Sequence, residues 1–328
     1  MDRRSWLLLL LLASIWGASY MFIKIGLRDL SPADVAFLRI ALAAAVLMPI
    51  AAAQGALSGL RGRLCAVALL GAVQVAGPFY LIPLGEQRIS SALAGILVAT
   101  TPILTAILAI WVDHEERSEG LRLLGILMGI VGVVALFGLD LNGSGSALLG
   151  GLAVVLASLG YSVGTFILKR GLRGARPLGV VAGVMSASAL LLLPAAVASA
   201  PSATPAAGPL AAVVVLGVLG TGVAFVIFYA LIGSVGAVRT MLVSYLAPGF
   251  AVVYGAFLLG ETITVATILG LALIVAGSWL AAGGWLLGEA PAPPGSAPLP
   301  AHDGESRGPP PLAPRRSSAP TRTGRAAS

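Results

Sequence analysis

Apolar residues run in blocks of about 20 along most of this chain, and charges, prolines and glycine clusters fall between the blocks. A bilayer core about 30 Å thick takes roughly 20 residues of helix to cross, so each block has the length of one membrane span. The blocks cover residues 5–25, 33–53, 63–84, 90–112, 121–139, 147–168, 178–199, 210–232, 237–259 and 264–286. This pattern predicts an all-α polytopic membrane protein with ten transmembrane helices. The third and fourth blocks meet at a very short turn holding Glu86 and Arg88. Fused, they would make one helix too long for the bilayer without a large tilt, so they read as two. The first block, with Arg3 and Arg4 ahead of residues 6–12, also has the outline of a cleavable signal peptide. Two features oppose that reading: apolar character continues through Met21, Phe22 and Ile23, and the block has a counterpart later in the chain.

Composition points the same way. Of 328 residues 58% are hydrophobic and 10% charged, against about a quarter charged in soluble domains. The net charge of +7 would suggest a nucleic-acid partner in a soluble chain. Here sixteen of the 20 basic residues fall on one side once the N-terminus is placed in the cytoplasm, so membrane topology explains the charge and no nucleic-acid partner is expected. Both termini are then cytoplasmic, in a multi-pass protein of the cell (inner) membrane. Residues 287–328 hold ten of the 21 prolines and no apolar periodicity, which predicts a disordered tail rich in Pro and Arg. Cys65 stands alone and reads as a small core residue. His114 and His302 are isolated, so neither metal nor cofactor is indicated.

The two halves match at a nearly constant offset. Ala13-Ser14 pairs with Ala157-Ser158, Gly26-Leu27-Arg28 with Gly171-Leu172-Arg173, Pro102 with Pro248, and Glu115 with Glu261. Leu124-Gly125 and Gly132 likewise pair with Leu269-Gly270 and Gly277. Residues 5–139 and 147–286 thus form two repeats of five spans, joined around Gly143-Ser144-Gly145. Five is odd, so the second repeat enters the membrane from the opposite side, an inverted arrangement that serves alternating access.

The run Trp16-Gly17, Lys24, Ser31-Pro32 and Arg39 resembles the opening of the EamA-like branch of the drug/metabolite transporter superfamily. The repeat ends resemble it too, with Pro102, Glu115, Gly125 and Gly132 in one half and Pro248, Gly260-Glu261, Gly270 and Gly277 in the other. His114 departs from the glycine usual before the glutamate. The resemblance covers about residues 5–286. It implies a ten-helix secondary carrier of small organic solutes, often an exporter of amino acids, related metabolites or drugs, with a central cavity lined by both repeats and no enzyme chemistry.

Within the spans, Trp16, Tyr20, Gln74, Tyr80, Tyr161, Thr165, Tyr229 and Tyr245 are polar or amphipathic groups suited to lining a wet cavity, although Tyr and Trp also collect at lipid interfaces. Arg39 lies inside the second span, where a charge is costly unless it pairs, snorkels or faces water. It either holds a substrate carboxylate, or snorkels or pairs with Asp34. Lys24 at the end of the first span reads as a headgroup anchor. Pro102 and Pro248 interrupt equivalent spans, the best sequence pointer to a transporter's binding region. Thr101, with Thr100, stands where it either touches substrate or satisfies carbonyls that Pro102 frees. Glu115 and Glu261, at span ends, read as caps of the helix that follows each. No Asp or Glu falls in mid-span, so proton coupling finds little support, with Glu86 the one carboxylate left to serve it.

Rival classes are a membrane-embedded enzyme, for instance a lipid-modifying one, and a channel. The first would need paired carboxylates, a His-rich metal set or a Ser-His pair at membrane depth, and the spans hold none. The glycines at 217, 220 and 222 lack the Lys-Ser or Lys-Thr of a phosphate loop and read as packing positions. The expected partners are a small-molecule solute and the lipid bilayer, in a monomer or a homodimer.

Overall fold

The computed structural model of the chain describes residues 1–112, 120–140 and 145–282. His114, Glu115, His302, most of the stretch joining the halves and the 287–328 tail lie outside the described residues.

The apolar blocks fold as helices α1 (Arg3–Gly26), α2 (Pro32–Ala53), α3 (Leu64–Glu86), α4 (Ser91–Trp111), α5 (Leu121–Gly138), α6 (Gly145–Gly171), α7 (Pro177–Ala198), α8 (Ala207–Val235), α9 (Leu242–Leu259) and α10 (Val265–Ala281). Among the described residues, α1 to α9 are each long and apolar enough to cross a membrane, and α10 is a shorter apolar helix. The chain is a multi-pass membrane protein. Its helix starts are written locally: Ser31 and Asp34 close a capping box ahead of Pro32, Ser90 Oγ accepts from the Leu93 amide, and Thr264 and Thr267 close a second box.

Packing pairs α5 with α10, α2 with α7, α1 with α9, and α3 with α6; α8 lies against α1 and α2, and α4 against α6 and α9. Between hydrocarbon-facing helices, association depends on close approach at small residues. The α5–α10 contact shows this, since a Cβ on Gly277 would sit 2.6 Å from the Gly125 carbonyl oxygen. Large apolar side chains such as Trp111 and Phe257 remain exposed on the outside of the bundle, as a surface bathed in lipid requires. Cys65 joins that outer face: it is exposed and does not pack in the core, because α3 turns it away from its neighbours.

Three interruptions shape the interior. α3 widens into π-helical turns at Gly71–Ala76 and α8 at Val218–Val223, matched places in the two halves. Such widenings reposition side chains and recur at functional sites. α4 breaks at Ala99 and Thr100, just before Pro102.

Candidate solute-binding site

The middle of the bundle gathers five helices around one guanidinium. Arg39 sits two turns into α2 and is buried. α8 reaches it because Gly217 lies against the α2 backbone, where a Cβ would meet the Arg39 carbonyl oxygen at 3.0 Å. One turn on, in the π segment, Thr221 Oγ1 accepts from Arg39 Nε at 2.9 Å. From α3, the Phe79 ring lies under the guanidinium, 4.0 Å from Cζ to centroid, a cation–π contact worth about 0.5–2 kcal/mol once desolvated. Tyr20 of α1 and Tyr161 of α6 are close enough to feel the same charge. Both phenols pack in one apolar cluster with Ile82 and with Val98, the last residue before the α4 break.

Asp34 is not the partner of Arg39. Its carboxylate is held by Ser31, through the amide at 3.1 Å and the hydroxyl at 2.7 Å. Arg39 therefore keeps its charge inside the bundle with a hydroxyl and an aromatic face as neighbours, an arrangement that leaves guanidinium donors for a carboxylate.

An aromatic wall extends from this group. Trp16 of α1 packs on Phe225 and Phe228 of α8, with ring centroids 6.2 and 5.4 Å apart, and Phe225 stacks on Tyr229 at 6.3 Å. Tyr80, Tyr161, Tyr229 and Phe225 line the cluster that holds Phe79. Gln74, in the α3 π segment, lies against α6 where Gly164 leaves room for its side chain.

Other expected residues fall elsewhere. Thr165 is exposed and its hydroxyl donates to the Tyr161 carbonyl on its own helix at 3.1 Å. Tyr245 lines an apolar groove of about 450 Å³ between α9 and α10. Thr101 Oγ1 donates to the Val98 carbonyl at 2.8 Å and Thr100 Oγ1 to Leu97 at 2.7 Å, so both satisfy the broken helix. Pro102 opens the second segment of α4, and Pro248 is buried within α9 where that helix crosses α1 at Gly17.

Two charged groups differ from their sequence readings, and a third proves buried. Lys24 does not reach for headgroups; its ammonium donates to the carbonyls of Glu86 and, at 2.8 Å, of Ile89, closing the end of α3. Glu261 caps a helix of the other half instead of the one that follows it, accepting from the Ser91 and Ala92 amides at 2.7 and 3.0 Å. Glu86, at a span end, is wholly buried. Among the described residues there is no cluster of three or more His, Cys, Asp or Glu of the kind that holds a metal ion.

Comparison with known proteins places this arrangement. The model of the EamA-like transporter family matches residues 4–138 and again 148–283. The chain belongs to the EamA-like transporter family. It is similar to the uncharacterized transporter YoaV of Bacillus subtilis, 26% identical over 270 residues that cover 81% of this chain and 92% of that one. It is similar also to the uncharacterized inner membrane transporter YedA of Escherichia coli K12, 29% identical over 268 residues, covering 80% and 85%. A Salmonella typhimurium relative named as a probable amino-acid metabolite efflux pump is 27% identical over 291 residues, covering 85% and 95%. One solved protein crystal structure superposes with a TM-score of 0.61 at 24% identity, covering 86% of this chain and 98% of its own, which shows a shared fold. In this EamA-like chain, Thr221 and Phe79 are the neighbours of Arg39 that sequence reasoning passed over. Thr221 stands between Gly220 and Gly222 in an apolar run, and a lone hydroxyl between two helix-packing glycines was its one signal.

Proposed function

We infer that this EamA-like protein is a secondary carrier of small organic solutes that bear a carboxylate, amino acids and related metabolites first among them, and that it moves them outward by alternating access. The observation that carries the reading is Arg39: a buried guanidinium, stacked on Phe79 and bonded to Thr221, at a point where helices of both halves meet. A fixed positive charge with aromatic flanks suits a carboxylate with an organic side chain. The efflux-pump name of the Salmonella typhimurium relative supports the direction and the cargo class.

The helix packing supports two inverted five-helix repeats. α5 against α10 and α2 against α7 each join equivalent spans, while α1 with α9 mirrors α6 with α4, and α3 with α6 mirrors α8 with α1. Those are the pairings that an exchange of the halves by a two-fold axis in the membrane plane would produce. With the basic residues facing inward, both termini are cytoplasmic.

The test is uptake and counterflow by purified protein in proteoliposomes, screening amino acids, nucleosides and cationic drugs. Saturable counterflow of carboxylate-bearing solutes is the expected result. Flux that neither saturates nor exchanges would mark a channel.

A further inference from the structure

We propose that Glu86 is a proton-binding site through which this protein couples solute movement to proton movement, an inference that rests on the carrier reading above. Glu86 ends α3 at 0% exposure, and neither of its carboxylate oxygens has a hydrogen-bond partner. A buried carboxylate anion without partners is costly, and the ordinary way out is to take up a proton. α3 is pressed onto α6 next to this residue: a Cβ on Gly85 would meet the Gly150 carbonyl oxygen at 2.7 Å.

Three charged groups, Lys24, Arg39 and Glu261, lie within electrostatic reach of Glu86, and none of them bonds its carboxylate. From α1, Lys24 gives its ammonium to the backbone carbonyls of Glu86 and Ile89 instead of to the carboxylate. From α2, Arg39 turns Nε toward Thr221 and lies over Phe79. Beyond α9, both oxygens of Glu261 accept α4 amides, leaving a second negative charge nearby. Tyr20 of α1 is within electrostatic reach of Glu86, and Tyr161 of α6 within that of Arg39.

This geometry links the proton to closure. With Glu86 protonated, no charge competes for Lys24, which ties α1 to the turn between α3 and α4. Loss of the proton leaves an anion that competes with the Glu86 and Ile89 carbonyls for the Lys24 ammonium. Proton release and opening at the Lys24 end of the bundle therefore favour one another, as any two events biasing one two-state element must.

Two readouts on full-length protein decide it. Infrared difference spectra in lipid, between acidic and alkaline buffer, should contain a protonated-carboxyl band that vanishes in Glu86→Gln, persists at a shifted position in Glu86→Asp and is untouched in Glu261→Gln. In proteoliposomes enclosing a pH dye, an amino-acid mixture should move protons with wild type, whereas Glu86→Gln should lose that signal to background and keep counterflow. A band unchanged in Glu86→Gln, or the same proton movement in that variant, overturns the proposal. Absence of counterflow in wild type would sink the carrier reading instead, and the infrared result would still decide whether Glu86 holds a proton.

Discussion

Helices α4 and α9 carry the same proline at matched places in the sequence repeat, yet they accommodate it in opposite ways. Pro102 cannot donate to Val98, and α4 breaks there. The broken turn is stitched by hydroxyls from three helices: Thr101 donates to the Val98 carbonyl, Ser158 of α6 to Leu97 at 3.3 Å, Ser162 of α6 to Thr101 at 3.0 Å, and Ser278 of α10 to Ala99 at 2.5 Å. α9 runs on through Pro248 from Leu242 to Leu259. It is held by α1, whose Gly17 lies so close that a Cβ would meet the Phe250 Cβ at 2.4 Å and the Ala247 carbonyl oxygen at 2.7 Å. A repeat conserves the residue that can interrupt a helix; the neighbours decide whether it does. Because Val98 packs with Tyr20 and Tyr161, the interrupted member of the pair borders the site.

Breaking the α9 side should have the largest effect. Gly17→Ala pushes a methyl group into the α1–α9 crossing and should cost roughly 1–3 kcal/mol, read as a lowered thermal midpoint and a reduced yield of monodisperse protein in detergent. Gly249→Ala, on the same helix with open space around its Cβ, should match wild type. On the α4 side, Thr101→Val with Ser278→Ala leaves two carbonyls short of donors. Each loss should cost about 1 kcal/mol, so the double variant should unfold measurably earlier while inserting normally. The smallest effect is expected from Thr165→Val, whose hydroxyl serves only its own helix. Stability within about 0.5 kcal/mol of wild type and unchanged counterflow should result.

Much of the fold was legible in the sequence because hydrocarbon imposes length and apolarity on every crossing element. The ten blocks and the helices differ by a few residues at their ends, and the Glu86–Arg88 turn separates α3 from α4 as expected. The site was legible only in part. Arg39, Tyr20 and Tyr161 stood out as polar groups in apolar runs and come together. Tyr245 and Thr165 stood out equally and do not, since a helix that is apolar on every side gives no periodicity from which to read its inner face. The same gap explains Lys24 and Cys65. Position along the sequence put Lys24 at the membrane surface and Cys65 in the core, but helix rotation turns the lysine onto the α3 carbonyls and the cysteine outward. Glu86 stands at a span end in the sequence, and only the tertiary packing shows that such an end can be fully buried.

The central claim is that Arg39 holds the carboxylate of a transported solute. Counterflow of carboxylate-bearing solutes in proteoliposomes, compared between wild type and Arg39→Gln at equal insertion and equal thermal midpoint, tests it most directly. Saturable exchange by wild type and its loss to background in the variant is the predicted result. Full exchange by Arg39→Gln would contradict it and remove Arg39 from the site.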